Sequence, residues 1–326
     1  MKFMLPFNGD LELVEYFKDN PSVIGFYGSA PDISSSARES FQLRSDGEGL
    51  KKAIEILHNS GKIFKYVYNS LVTDTMQETV EVLRRLNYLS VDRVTVATPF
   101  HCLMASKVFD GEVEVSTIAE VRTPQMAEDW YSLSADKVTL STALTRFPHL
   151  IRKYRNPTVI AQEICGLNCI LRTSHYIDQS LSKKQEMKNY PYIYCQSFLK
   201  QNYPERLLRA NWVPPSFLKH YPDDVEVKIV GRTYPTEYLI RVAEAYMSGT
   251  DPVDYLDILP YGERQMTTRD GERLRLLSKH LPTEFWEHFR HSKFPCFARD
   301  CVECGHCRNF ARLYNDRLGE RWKEQR

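Results

Sequence analysis

Seven of the eight cysteines in this chain fall into two groups. The later group, Cys296-x4-Cys301-x2-Cys304-x2-Cys307, puts four thiols within twelve residues. Thiolates are soft ligands, and a metal ion or cluster needs several of them converging closely, which two-residue spacings on a tight loop deliver. Zinc and iron–sulfur clusters both accept four cysteines. Three successive cysteines at two-residue spacing recur in bacterial ferredoxins and favour a 4Fe-4S cluster; zinc more often takes separated pairs. The bland alternative is four free surface thiols, which would be reactive at this density.

The earlier group is Cys165-Gly166-Leu167-Asn168-Cys169 followed by Cys195. Cys165 and Cys169 come directly after a predicted strand, where ligands meet on a βα loop, and Cys195 is placed to fold back over the same mouth. Three thiolates leave one iron of a cubane open to substrate, solvent or a fourth ligand, for which Cys102 and Cys296 are the candidates. The bland alternative is cysteines buried as small hydrophobes. Radical S-adenosylmethionine enzymes use Cys-x3-Cys-x2-Cys, but Arg172 holds the third position here and the pair follows the seventh strand, so that chemistry is not supported.

Further polar residues fall where strands should end: Asn8, Tyr27, Asn69, His101, Thr117, Glu120, Glu163 and Arg232. Glu163, two positions before Cys165, is a candidate acid or base. Arg232 suits a bidentate carboxylate contact, and His175, six residues past Cys169, is a candidate proton donor or ligand. For each, a solvated or structurally paired side chain is the plain alternative. A Gly-rich phosphate loop, a Gly-x-Ser-x-Gly elbow and a His-Glu-x-x-His pair are all absent from the sequence, so a dinucleotide enzyme, serine hydrolase or zincin is unsupported.

The elements that must position these residues alternate regularly. Strands are predicted at 2–7, 23–27, 63–68, 93–97, 113–117, 137–140, 158–162 and 225–230, with apolar residues at helical spacing between them. Leu50, Ala53, Ile54 and Leu57 make one helical face, starting after Asp46 and stopping at Gly61. Met76, Val80, Leu83 and Leu86 make another, behind the capping candidate Thr73. Eight strand–helix units predict an α/β fold, a (β/α)8 TIM-like barrel, with a cysteine-rich C-terminal extension. The barrel is assigned to residues 1–260 and the extension to residues 261–326. A long insertion between strands 7 and 8, about 163–224, carries the central cysteines, the aromatic run Tyr190-Pro191-Tyr192-Ile193-Tyr194 and the turn-forming Trp212-Val213-Pro214-Pro215. Insertions on barrels gather at the C-terminal face, where active sites lie.

Composition narrows the class. The 326 residues carry 43 Lys+Arg against 42 Asp+Glu, a net charge of +1, which gives no strong nucleic-acid signal. The start lacks the pattern of a secretory signal and no apolar run is long enough to span a bilayer, so a cytoplasmic protein without membrane partners is expected. In a reducing compartment the cysteines read as ligands rather than disulfides.

Several segments together resemble the collagenase-like peptidase family, peptidase family U32. Val115-Ser116-Thr117-Ile118-Ala119-Glu120 resembles that family's strand ending in Ser-Thr-Gln-Ala-Asn, with Ile118 and Glu120 replacing its Gln and Asn. Lys137-Val138-Thr139-Leu140-Ser141 resembles its next strand, normally followed by Arg-Glu-Leu; Thr142-Ala143-Leu144 stands there instead. Glu163-Ile164-Cys165 falls where the family has a glutamate before its first central cysteine, and the opening strand with Asn8-Gly9-Asp10 also fits. Several relatives are oxygen-independent hydroxylation proteins, acting on ubiquinone precursors or RNA bases and holding a four-iron cluster through four cysteines. The resemblance therefore implies one or two iron–sulfur clusters, on Cys165, Cys169 and Cys195 and on Cys296, Cys301, Cys304 and Cys307, with zinc as the alternative at the C-terminal site. It also implies an oxidoreductase acting on a small-molecule or macromolecular substrate, with an electron-transfer partner or a related heteromeric subunit. A peptidase and a non-catalytic metal scaffold are the competing readings.

Overall fold

The computed structural model describes residues 1–33, 46–72, 74–166, 169–181, 195, 197–200, 203–260, 266–267 and 271–324. Runs of β-branched and aromatic residues form strands, and each is followed by a segment whose apolar residues recur at helical spacing. The first half runs β1 (Lys2–Pro6), α1 (Leu11–Phe17), β2 (Val23–Gly28), α2 (Gly47–Asn59), β3 (Ile63–Val67), α3 (Met76–Tyr88), β4 (Arg93–Val96), α4 (Pro99–Val108), β5 (Glu112–Val115) and α5 (Pro124–Ser132). Then come β6 (Lys137–Val138), α6 (Pro148–Ile151), β7 (Thr158–Ile160), β8 (Gln162–Gly166), α7 (Arg172–Leu181), α8 (Glu205–Arg209), β9 (Ala210–Trp212), β10 (Glu226–Lys228) and α9 (Thr236–Ser248). The chain finishes with α10 (Thr283–His291), α11 (Cys301–Cys304) and α12 (His306–Glu324).

Eight strands pair in parallel in the order β6-β5-β4-β3-β2-β1-β10-β7. A parallel bridge between Thr139 and Thr158, with Leu140 N–H donating to Thr158 O at 2.9 Å, joins the two ends of that order. The result is a TIM-like (β/α)8 barrel. Its strands are the eight predicted ones, each ending one or two residues sooner than expected except β2, which runs one residue further. The remaining pair, β8 and β9, forms a separate antiparallel ribbon inside the insertion. Glu163 and Cys165 therefore sit on a strand rather than on a loop. Trp212 is not in a turn either: it lies on β9, fully buried. The run at 190–194 lies outside the described residues.

Side chains alternate across each strand. Phe3 and Leu5, Phe64 and Tyr66, Val94 and Val96, and Val113 and Val115 face outward into the main core with the helices, while Met4, Tyr27 and Val67 form a separate cluster inside. The predicted α2 face is the one buried, capped by Asp46, which accepts from Gly49 N–H. On α3 the buried residues are Thr79, Val82, Leu83 and Leu86, while Met76 is 65% exposed. Its cap is Thr75, in a reciprocal capping box with Glu78; Thr73 lies outside the described residues.

The extension shares the barrel's core. Phe289 meets Phe147 edge-on at 6.0 Å, and Trp286 meets Trp212 at 4.9 Å. Tyr314 is fully buried, donating to Arg275 O at 2.7 Å and accepting from Leu277 N–H at 2.9 Å.

Candidate functional site

Asp300 caps α11 by accepting from Val302 N–H, and Gly305, at φ +59°, ends it. That left-handed residue suits glycine, and it lets α12 begin at once. The sharp turn brings Cys301, Cys304 and Cys307 to one small cavity of about 30 Å³, which Cys296 also lines. His288 Nε2 is 3.9 Å from Cys304 Sγ, and its ring stacks on His306 at 3.9 Å between centroids. His306 Nε2 is engaged with Phe285 O at 2.9 Å. Burial pushes the Cys296 thiol up to about 11 and the Cys307 thiol up to about 12, each partly offset by the Arg146 guanidinium. A metal held by Cys296 and Cys307 would therefore have to displace their protons.

Arg146 is the residue that the sequence reading missed. It lies on the loop between β6 and α6 and is 4% exposed. Its Nε donates to Trp212 O at 3.0 Å and its Nη1 to Leu208 O at 2.7 Å. Its Nη2 is buried with no hydrogen-bond partner among the described residues. Burial lowers its pKa, and the opposing influences are led by Cys307 and Cys296. A buried cation facing four thiols is a site prepared for an anionic occupant.

The central group adjoins this cavity. Cys169 and Cys195 line an apolar pocket of about 320 Å³ with Leu171, Phe198 and Leu199, and Cys301 and Arg209 line both pockets. Cys165 is the deepest of the three: burial pushes its thiol up to about 12, Arg172 pulls it back, and Glu163, Cys169 and Cys195 add to the rise. Burial, Cys169 and Glu163 push Cys195 up to about 11. Arg172, in the position that a third motif cysteine would hold, instead pairs with Glu120 at 2.6 Å and donates to Thr142 Oγ1 at 3.1 Å. Glu120 is held at φ 56°, a strained left-handed conformation for a non-glycine residue.

As placed, no three His, Cys, Asp or Glu side chains among the described residues stand close enough to hold one metal ion. The donor set nevertheless fits a thiolate-bound metal or cluster: the tail cavity is lined by soft ligands, and the unpartnered Arg146 Nη2 supplies the matching charge.

Residues 33–157 match the profile of peptidase family U32. Over this segment the chain is similar to peptidase family U32. A solved structure described as the U32 peptidase Mk0906 superposes with a TM-score of 0.53 at 16% identity, covering 71% of this chain and 93% of that one; it shares the barrel fold. A maltogenic α-amylase, AmyB from Thermotoga neapolitana, aligns at TM-score 0.34 and 12% identity over 76% of each chain. No match is found among curated proteins.

The matched segment, residues 33–157, includes α2 through α6 and contains Arg146 and Glu120. It ends ahead of all seven clustered cysteines. The other predicted mouth residues of this barrel are mostly engaged. Arg232 is buried, donates to Ser29 Oγ and stacks over Tyr27 at 5.8 Å; Tyr27 itself donates to Ile229 O at 2.9 Å. Asn8 fastens the start of α9 through Tyr234 O and Thr236 Oγ1, Asn69 donates to Ser116 Oγ, and Thr117 donates to Leu140 O. His175 is half-buried on α7, stacked on Tyr176. His101 is buried on α4, with Nδ1 3.0 Å from Thr98 Oγ1 and its ring against Tyr68 at 4.8 Å. Cys102 is buried away from the two cysteine cavities: its thiol donates to Leu133 O at 3.5 Å, and the charge acting on it is Asp136 rather than another thiol. No described helix is long and apolar enough to cross a membrane.

Proposed function

We propose that this U32 member is an iron–sulfur oxidoreductase, carrying out oxygen-independent hydroxylation or a related modification of a substrate. The observation that carries the reading is the adjacency of Cys169 and Cys195 to the tail cysteines, in neighbouring cavities with Cys301 and Arg209 in their common wall. A bound cluster supplies one-electron transfer, tuned by nearby hydrogen bonds and burial. Cys165, Cys169 and Cys195 would hold the barrel-side cluster, with Cys296, Cys301, Cys304 and Cys307 holding the tail centre. Leu171, Phe198 and Leu199 give the barrel-side pocket an apolar wall that excludes water from a substrate. Glu163, half-buried beside Cys165, is the candidate proton carrier there.

Anaerobically purified protein should be brown and contain iron and acid-labile sulfide. Cys165→Ala and Cys301→Ala should each remove about half of the iron, as two separate sites require. Colourless protein without iron, or zinc alone in both sites, ends this reading.

The peptidase reading has one geometric foothold, the Cys304 thiol 3.9 Å from His288 Nε2, a loose version of a nucleophile–base pair. Peptide cleavage that is lost in His288→Ala but indifferent to iron would favour it. A cytoplasmic location is part of the proposal.

A further inference from the structure

We infer that Arg146 is the built-in counter-charge of the tail centre, and that it couples filling of that centre to docking of the tail on the barrel. This rests on the reading that the tail cysteines hold a metal. Three observations carry it. The guanidinium is buried against the faces of Phe289 at 4.7 Å and Trp286 at 5.3 Å, with no carboxylate among the groups that act on it most strongly. Two of its nitrogens are spent on backbone carbonyls of the insertion, Leu208 O and Trp212 O, and the third has no well-aligned acceptor at the cysteine cavity, where Cys307 is the side chain that acts on the guanidinium. Cys307 Sγ, as a thiol, donates to the same Leu208 O at 3.5 Å.

A buried charge without an opposite partner is costly. No carboxylate is among the groups acting most strongly on Arg146, whereas zinc or a 4Fe-4S cluster held by four thiolates would carry net negative charge and neutralise it. Metal binding also takes the Cys307 proton and with it the thiol's bond to Leu208 O, and Arg146 Nη1 remains to satisfy that carbonyl. One side chain therefore links the β6–α6 loop, the insertion and the tail. A purely structural Arg146, a clamp between backbone carbonyls and aromatic rings, would act equally with or without metal. The two roles are separable.

The test compares wild type, Arg146→Gln and Arg146→Lys, each loaded and stripped of metal. Three quantities are read: the chelator concentration that removes half the metal, the rise in Tm on loading, and protection of the tail from limited proteolysis on loading. Arg146→Gln should release its metal at a chelator concentration lower by about tenfold or more, the usual scale for a lost supporting partner. Its Tm gain on loading should shrink, with Arg146→Lys between it and wild type. Unchanged retention in Arg146→Gln overturns the inference, as does an equal Tm loss in the loaded and stripped forms. If Arg146→Gln does not fold, Arg146→Lys takes its place, and a Tm loss as large in its stripped form as in its loaded form also overturns the inference. Wild type that takes up no metal in the tail would bring down the metal reading itself, an outcome distinct from either of these.

Discussion

Two carboxylates inside the barrel, Glu114 and Glu226, serve three cations. Lys65 reaches Glu114 at 2.9 Å and Glu226 at 3.3 Å, Arg93 reaches Glu226 at 3.0 Å and Glu114 at 3.2 Å, and Lys137 reaches Glu226 at 3.1 Å. Burial alone would raise the Glu226 pKa, but Lys65 first, against Glu114, and then Arg93 and Lys137 bring it down to about 2 from an ordinary 4.5. Glu114 is likewise held low, burial being outweighed by Lys65 and Arg93. A depressed carboxylate stabilises the fold above its unfolded pKa, and that stability is lost as pH falls toward the folded value. The barrel should therefore weaken between about pH 4.5 and pH 2, and Glu226→Gln, which leaves buried cations short of a partner, should cost about 3–5 kcal/mol at neutral pH. Urea unfolding at pH 7 and pH 3 checks both: a variant as stable as wild type at pH 7, or a wild type whose stability is flat across that range, contradicts the network's role. None of this was legible in the sequence, because Lys65 and Glu226 are 161 positions apart and a strand carrying charges on its inner face resembles one exposed to water. The cysteines were legible for the opposite reason, since their spacing is local. Arg146 shows the limit: its significance comes from Leu208, Trp212, Cys296 and Cys307, none of them near it in the chain.

At the scale of elements, local rules fixed most of what formed. All eight barrel strands were readable because each is a β-branched or aromatic run, and their predicted ends overran mainly where the chain leaves the sheet to build mouth loops. The α2 boundaries followed from Asp46 and Gly61, the latter at φ +65°. The start of α3 shows how a cap is mistaken by two residues. Thr73 and Thr75 are both threonines ahead of an apolar pattern, but only Thr75 has a glutamate three positions on, and Glu78 completes the reciprocal pair. Thr75→Ala should accordingly destabilise the protein by about 1 kcal/mol, measurable as a lower denaturation midpoint with unchanged slope. No effect would mean that packing of Thr79, Val82, Leu83 and Leu86 holds the helix unaided. The β8–β9 ribbon escaped the sequence because Gln162–Gly166 follows β7 after a single residue, so two strands of different sheets read as one.

At the scale of the whole molecule, the boundary drawn near residue 260 separates composition more clearly than it separates packing. Trp212 of the insertion, Tyr255 beyond α9 and Trp286 of α10 stack together, with ring centroids 5.1 Å apart for Trp212–Tyr255 and 4.9 Å for Trp212–Trp286. Phe285, Phe289 and Tyr314 are each at most 1% exposed. Fully burying one such side chain is worth roughly 1.5–3 kcal/mol, so the tail's aromatic residues hold a share of stability comparable to that of a marginal domain. A chain built this way should unfold as one unit. With Trp130 and Trp322 replaced by Phe, Trp212 and Trp286 report the junction by fluorescence while far-ultraviolet circular dichroism reports the barrel helices. In the metal-free full-length protein the two denaturation curves should superimpose. If fluorescence changes first and leaves the helical signal intact, the tail is an independent unit docked by the metal alone, and the shared core counts for little. If the curves coincide without metal and shift together when it is added, the barrel and its cysteine-rich extension fold as one body, with the metal as an added fastening.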